Sequence, residues 1–330
     1  MRRRAVMLGL VTTLAACAIA TERHAPIVTP PPTEEDGAFV MADGARLPYR
    51  RWLPSGAPPQ AVMLALHGFN DSRDAFEIPA PAFAAAGIAL YAPDQRGFGT
   101  APERGGWPGS ARLVHDAAHM ARLLHAEYPH IPLYLMGESM GGAVLLCLAA
   151  SAEAPPVAGY VLVAPAVWGW SEMNIFLRAA LWLSASAAPN WRLTGAAAHV
   201  TASDNRAALI RLSTDPLTIH KTRIGTVRGL VDLMDEAQAA GRHVAAPTLV
   251  LYGGHDALVP KPAMAAAWRK LLVAAPADLR LAYYPEGYHL LLRDHDRAIV
   301  IGDILHWLHA PAAPLPSGAD RAAQTWIERP

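Results

Sequence analysis

Short apolar segments alternate along the chain with longer segments of helical periodicity, and this alternation constrains the fold more than any other feature. In each of the first three pairs an uninterrupted apolar run precedes a helical pattern: 61–66 with 74–86, 88–92 with 110–127, and 133–136 with 141–150. Strands that are apolar throughout are buried on both faces, as in a parallel sheet covered by helices on each side. The sequence therefore predicts an α/β fold with a mostly parallel, doubly wound sheet.

The same alternation continues to the C-terminal part of the chain after one long interruption. Apolar runs recur at 157–163, 248–252 and 280–284. The stretch at about 166–245 is too long for an ordinary connection and has helical patterning, so we interpret it as an inserted helical cap. The folded domain is expected at 37–310, followed by a flexible tail at 311–330.

Composition excludes several classes of protein. Hydrophobic residues make up 52% of the 330 residues and charged residues 17%, which excludes disorder over most of the chain. Lys and Arg together number 28, as do Asp and Glu, so no overall field favours nucleic acid. Cys17 and Cys147 are too few for a disulfide scaffold or a cysteine-rich metal site.

The first residues have the form of an export signal. Arg2, Arg3 and Arg4 precede an uncharged run of 12 residues at 5–16, shorter than the roughly 20 that span a membrane. Leu14-Ala15-Ala16-Cys17 resembles the lipobox of bacterial lipoprotein precursors, which implies a signal at 1–17, a lipidated Cys17 and a membrane-anchored cell-envelope protein. Alternatively, cleavage after Ala18-Ile19-Ala20 leaves a soluble periplasmic or secreted protein. The proline-rich stretch at 18–36 is expected to be an extended tether.

The sharpest local motif is Gly137-Glu138-Ser139-Met140-Gly141, followed by Gly142. It lies between a predicted strand and a predicted helix, which is the arrangement of a nucleophile elbow. Such a turn exposes the serine hydroxyl at the edge of the sheet and directs helix N-terminal N–H groups toward an oxyanion. The alternative is a glycine-rich turn in which Ser139 only caps the helix.

Over about 39–309 the sequence resembles the α/β-hydrolase family, specifically the branch of monoacylglycerol lipases, lysophospholipases and related serine aminopeptidases. The motifs that carry the resemblance each follow a predicted strand: His67-Gly68, Asp94-Gln95-Arg96-Gly97-Phe98-Gly99, Gly137 to Gly142, Gly254-His255-Asp256 and Gly287-Tyr288-His289. The chain departs from the usual family pattern at Thr100 and at Phe69-Asn70.

A serine hydroxyl needs a base to take its proton and an acid to orient that base. In this family the chain order is Ser, acid, His. His289 follows a strand and a turn and is the candidate base, with His295 and His306 as rivals. Asp256 is the candidate acid, although an aspartate in such a turn can also be a simple cap.

The resemblance also implies an oxyanion hole formed by the backbone N–H groups of Met140 and Phe69. His67 is expected to make structural hydrogen bonds, and Asp94 and Arg96 to hold the neighbouring loop. Glu138 is either structural or in contact with the substrate.

The cap is rich in tryptophan, with Trp168, Trp170, Trp182 and Trp191 within 24 residues. The candidate substrate-pocket residues are Trp168, Phe176, Leu177, Leu181 and Trp182. They could line an apolar pocket or a membrane-facing lid, or they could attach the cap to the main domain. A group of basic residues is compatible with an anionic head group or with an ordinary solvated face: Arg211, Lys221, Arg223 and Arg228.

These features together predict a serine hydrolase that cleaves carboxylic esters of lipid-like substrates, of the monoacylglycerol or lysophospholipid type, through an acyl-enzyme on Ser139. No metal or organic cofactor is expected. The alternatives are an aminopeptidase, an acyltransferase, or a non-catalytic binding protein on a hydrolase scaffold.

Overall fold

The computed structural model describes residues 35–55, 58–194, 200–276 and 278–328. The predicted signal with Cys17, and residues 18–34 of the predicted tether, lie outside the described residues. Within the described ranges, no helix combines the length and the apolar character that a membrane crossing requires.

The strands follow the predicted apolar runs, with two additional strands at the start of the domain and two in the cap. In chain order they are β1 (Glu35–Val40), β2 (Arg46–Trp52), β3 (Ala61–Leu66), β4 (Ile88–Pro93), β5 (Leu133–Glu138), β6 (Gly159–Val163), β7 (Arg192–Thr194), β8 (Lys221–Arg223), β9 (Thr248–Gly253) and β10 (Arg280–Tyr284). One sheet of the described chain has the order β1-β2-β4-β3-β5-β6-β9-β10, and β7 pairs separately with β8. From β4 to β10 all pairs are parallel, whereas β1–β2 and β2–β4 are antiparallel.

The described residues form nine α-helices, and several of them cover the two faces of this sheet. They are α1 (Ala80–Ala85), α2 (Ser110–Glu127), α3 (Met140–Ala149), α4 (Ile175–Ala187), α5 (Arg206–Thr214), α6 (Ile224–Ala240), α7 (Lys261–Ala274), α8 (Arg297–His309) and α9 (Ala319–Glu328). On β5, Leu135 belongs to the core formed with α2 and α3, while its neighbour Met136 belongs to the opposite core with α1 and α8. Successive strand residues point to opposite faces, so a strand buried on both faces is apolar throughout.

The pairing register of the central strands places their carboxyl ends side by side. Leu66 at the end of β3 pairs with Gly137 of β5, and Glu138 at the end of β5 pairs with Val163 of β6. In open parallel sheets ligands bind outside these ends. The loops that follow β3, β5, β9 and β10 carry the candidate catalytic residues.

The segment between β6 and β9 contains α4, α5, α6 and the β7–β8 pair. Helix α6 packs on α3, and α4 packs on α6 rather than on the sheet. The helix α6 therefore lies between α4 and the sheet. Of the described residues of α4, Ala185 is the one that is buried.

The ends of the domain differ from the sequence expectations. The predicted flexible tail at 311–330 contains the helix α9, which packs against the edge strand β10. The ring of Trp326 stacks on that of Tyr283 at 5.1 Å and contacts Trp268 at 4.9 Å between centroids. Because α9 is strongly amphipathic, its apolar side covers an otherwise open sheet edge. At the other end, β1 begins at Glu35, two residues inside the predicted tether.

Candidate active site

Ser139 lies on a sharp turn between β5 and α3. Its backbone has φ 52° and ψ −112°, a conformation that a non-glycine residue adopts only when its surroundings enforce it. Its amide donates to the carbonyl of Val163 at 2.9 Å, which ties the turn to β6. A Cβ on Gly137 would overlap the backbone of Gly141, and one on Gly141 would overlap the carbonyl of Leu66. The two glycines therefore permit the close approach that holds Ser139 in this turn.

Asp256 and His289 are in direct contact. Nδ1 of His289 lies 2.8 Å from Oδ2 of Asp256, and both residues are buried. The other carboxylate oxygen of Asp256 accepts hydrogen bonds from the amides of Leu258 at 2.8 Å and Val259 at 3.0 Å. Asp256 therefore caps its own turn and orients the imidazole at the same time.

The environment of His289 changes its protonation. Burial is the largest influence and lowers its pKa, because it disfavours the charged imidazolium. The charge and hydrogen bond of Asp256, and the charge of Glu138, raise the pKa, whereas Arg293 lowers it. The net result is a pKa above the usual value for histidine. A base near neutrality suits proton transfer from a serine.

The loop after β3 passes next to Ser139. A Cβ on Gly68 would lie 3.3 Å from the Cβ of Ser139, so the backbone that leads into Phe69 approaches the candidate nucleophile closely. The ring of Phe69 packs edge-on against Phe98, with centroids 5.7 Å apart. Met140 is buried at the first position of α3. The two predicted oxyanion-hole residues thus lie on the two segments that flank Ser139.

Structural hydrogen bonds hold the neighbouring loops. His67 is buried and accepts the amide of Gln95 at Nε2 (3.0 Å), with Nδ1 2.7 Å from the carbonyl of Gly68. Its pKa is lowered, mainly by burial. Asp94 accepts from Arg73 and Thr100, and Arg96 binds Asp116 at 2.7 Å. These residues make the contacts that a structural role requires.

Glu138 is buried, and its Oε1 accepts from Nη2 of Arg293 at 2.5 Å. This contact favours the structural alternative for Glu138. Arg293, with its second partner Asp71, was not singled out by the sequence analysis. The signal that could have indicated it is one arginine at the end of the apolar run Leu290-Leu291-Leu292, four residues after His289.

Two of the predicted pocket residues lie on an exposed surface. Phe176 is 79% exposed and Trp182 is 54% exposed, and with Ile175 and Leu183 they form the apolar face of α4. Trp168 and Leu181 pack against the main core, and Leu177 is half-buried. The predicted acyl pocket is therefore wrong for Phe176 and Trp182, because α4 lies outside α6 and turns this face to solvent. A surface groove of about 330 Å³ is lined by Trp170, Ile175, Arg178, Ala179, Trp182, Arg228 and Asp232, and by none of the candidate triad.

Other candidate residues are engaged elsewhere. Arg211 is paired with Asp74, Glu77 and Asp215, so its charge is already compensated within the protein. Burial raises the pKa of Cys147 to about 12, which leaves its thiol protonated. His295 is exposed and His306 lies within α8. Among the described residues, no group of His, Cys, Asp and Glu has the arrangement of a metal site.

Comparison with known proteins bears out the predicted fold and branch. The family described as serine aminopeptidase, S33, matches residues 57–296. A monoacylglycerol lipase of Mycolicibacterium smegmatis is 27% identical over 280 residues, covering 84% of this chain and 97% of that protein. Human monoglyceride lipase is 28% identical over 280 residues, covering 83% and 90% respectively.

Solved structures show the same fold. The monoglyceride lipase of Saccharomyces cerevisiae superposes with a TM-score of 0.70 at 20% identity, covering 88% of this chain and 98% of that one. The monoacylglycerol lipase of Paleococcus ferrophilus gives a TM-score of 0.66 at 20% identity, covering 81% and 99%. The chain belongs to the serine aminopeptidase S33 family and has the α/β-hydrolase fold.

Proposed function

We propose that this protein is a serine hydrolase that cleaves carboxylic esters of lipid-like substrates, with Ser139, Asp256 and His289 as its catalytic triad. The observation that carries the proposal is the buried contact between Asp256 and His289, on the same sheet edge as the strained turn at Ser139. A serine alone is a weak nucleophile, whereas an oriented imidazole can take its proton.

In the proposed reaction Oγ of Ser139 attacks the ester carbonyl carbon while Nε2 of His289 takes the hydroxyl proton. Asp256 holds Nδ1 and stabilises the imidazolium that forms. The oxyanion of the tetrahedral intermediate accepts hydrogen bonds from the backbone N–H groups of Phe69 and Met140. His289 then protonates the leaving alcohol, and water activated by His289 hydrolyses the acyl-enzyme on Ser139.

Two observations support a lipid-like ester as the substrate. Relatives that cover most of this chain are monoacylglycerol and monoglyceride lipases. The apolar face of α4 is exposed, and an exposed apolar surface of this kind suits contact with aggregated lipid. The proposed substrate class is therefore a single-chain ester such as a monoacylglycerol or lysophospholipid.

An aminopeptidase is the second enzymatic candidate, because the family is described by that activity. Recognition of a substrate amine calls for a carboxylate that is free to bind it. Glu138, the carboxylate next to Ser139 in the chain, is buried, and its charge is already paired with Arg293 through Oε1. This internal pairing of the charge supports an ester rather than an amine-bearing substrate.

We also propose that the protein is exported and anchored in the cell envelope through a lipidated Cys17. The support is the sequence Leu14-Ala15-Ala16-Cys17 after a basic start and a short apolar run. Anchoring at the membrane would bring the apolar face of α4 within reach of a lipid surface.

A matched substrate panel tests the proposed reaction. Esters that vary separately in acyl length and head group are compared with aminoacyl anilides, using wild-type protein and the Ser139→Ala variant. We expect turnover of single-chain esters that depends on Ser139, and little turnover of anilides. Faster cleavage of anilides than of any ester would overturn the proposed substrate class.

A further inference from the structure

One buried guanidinium connects three of the four loops that carry the proposed catalytic groups. Nη2 of Arg293 donates to Oδ2 of Asp71 at 2.6 Å and to Oε1 of Glu138 at 2.5 Å. All three side chains are buried. Arg293 itself belongs to the loop of His289, four residues along the chain.

The two partners lie next to the other reacting groups. Asp71 is two residues after Phe69, and its Oδ1 accepts the amide of Ser72 at 2.8 Å, so its carboxylate is fixed to the loop after β3. Glu138 ends β5 and immediately precedes Ser139. The ion pairs therefore connect the oxyanion loop, the nucleophile turn and the histidine loop through a single nitrogen atom.

Stability alone does not account for this cluster. Removing charges from water costs several kcal/mol per ion, and well-packed apolar side chains are often as stable as a buried ion pair. The cluster is also incompletely bonded, because Nε of Arg293 and Oε2 of Glu138 have no hydrogen-bond partner among the described residues. Incomplete bonding of this kind calls for another explanation.

We propose that Arg293 is a positioning residue, which holds Phe69, Ser139 and His289 in their relative places by binding Asp71 and Glu138 at once. The inference rests on the proposed function, since it assumes that these residues react. It assigns Arg293 no contact with the substrate. Its effect is on the alignment of the transition state, where small displacements of reacting groups are costly.

The cluster also sets the charge around His289. The groups that act on this imidazole are Asp256 from the loop after β9, Glu138 from β5, and Arg293 from its own loop. Glu138 raises the pKa of His289 and Arg293 lowers it. A change of charge in the cluster therefore moves the pH profile in a direction that a purely structural role does not predict.

The test compares Arg293→Met, Arg293→Lys and Glu138→Gln with wild type on one soluble ester, with kcat expressed per site labelled by a fluorophosphonate. Arg293→Met should lower kcat by about 10²-fold, with KM nearly unchanged, because misalignment affects the transition state more than binding. Arg293→Lys retains the charge and should recover part of the loss. Glu138→Gln should move the acidic limb of the kcat/KM profile to lower pH, and Arg293→Lys should leave it in place.

Arg96→Met is the matched control. The guanidinium of Arg96 is also buried and paired with carboxylates, those of Asp116 at 2.7 Å, Asp43 at 3.1 Å and Glu103 at 3.6 Å, outside the three loops that Arg293 connects. Its variant should lower the melting temperature but leave kcat and the pH limb unchanged. If Arg293→Met does not fold, the near-isosteric Asp71→Asn and Glu138→Gln variants break the two arms separately, and each should lower kcat.

Two results would overturn the inference. One is wild-type kcat in a folded Arg293→Met variant, or in both Asp71→Asn and Glu138→Gln. The other is an acidic limb that does not move in Glu138→Gln. Failure of the proposed function gives different results. A wild-type protein that fluorophosphonate does not label, or a fully active Ser139→Ala variant, would disprove the catalytic triad itself.

Discussion

Asp256 binds His289 with one carboxylate oxygen and its own turn with the other. Oδ2 lies 2.8 Å from Nδ1 of His289, while Oδ1 accepts the amides of Leu258 and Val259. The turn fixes the carboxylate independently of the imidazole, so the acid is held without help from the substrate. The two alternatives considered for this aspartate, a cap and a catalytic acid, are therefore compatible in one side chain.

This division of roles predicts the effect of Asp256→Asn. The amide oxygen can still cap the turn, but the imidazole loses its anionic partner, and we expect kcat to fall by about 10³-fold to 10⁴-fold with a small change in melting temperature. Asp303→Asn is the matched control, because Asp303 on α8 is equally buried and accepts a hydrogen bond from the hydroxyl of Tyr284 at 2.9 Å. An Asp256→Asn variant that retains most of its kcat would show that Asp256 is only a cap.

The pKa of His289 predicts the pH dependence of the reaction. The base must be neutral, and its pKa is raised, so kcat/KM should fall as the pH falls through a value above the roughly 6.5 of an ordinary histidine. In Asp256→Asn the raising influence of the carboxylate is gone while burial still lowers the pKa, so the acidic limb should move to lower pH. A limb at or below the roughly 6.5 of an ordinary histidine in the wild type would contradict this assignment.

The apolar face of α4 predicts a difference between soluble and aggregated substrates. Inserting a phenylalanine into lipid contributes about 1.5 kcal/mol or more, so Phe176→Ser should weaken association with phosphatidylcholine vesicles by roughly tenfold. Turnover of a soluble short-chain ester should stay unchanged, because Phe176 is 79% exposed and does not enclose a pocket with Ser139. Val273→Ser, which alters an equally exposed residue on α7, is the control. Equal loss in both variants would exclude a specific role for α4.

Fold and catalytic motifs could be predicted because they depend on local patterns. Both faces of the central strands are buried, and this makes them uniformly apolar. Ser139 and Asp256 each follow such a strand, and His289 follows the edge strand β10, so all three lie at one end of the sheet. The contacts of Arg293 could not be predicted in the same way, since Asp71 and Glu138 lie 222 and 155 residues away along the chain.

The errors at the cap and the C-terminus also have physical reasons. The apolar residues of α4 indicate a face that avoids water or contacts lipid. They do not indicate which structural element packs against that face. In the structure α6 takes the inner position and leaves Phe176 exposed. The sequence predicts a flexible tail at 311–330, whereas the edge strand β10 provides a surface on which Trp326 packs.

The proposed lipid anchor predicts where the protein is found. Expressed from its full-length gene in a bacterium, it should partition with membranes, and Cys17→Ser should release it or leave an uncleaved precursor. Mass spectrometry of the mature N-terminus should show acyl chains on Cys17. A mature protein that begins at Thr21 without lipid mass would instead establish soluble export.

The most direct test of the proposed mechanism is intact-mass spectrometry of the protein with a fluorophosphonate probe, combined with ester turnover. The wild type should gain one probe mass, mapped to Ser139, and lose its activity in proportion to labelling. Ser139→Ala should bind no probe, and its turnover should be lower on the order of 10³-fold or more. A verified Ser139→Ala preparation that hydrolyses esters at the wild-type rate would contradict the proposed role of Ser139.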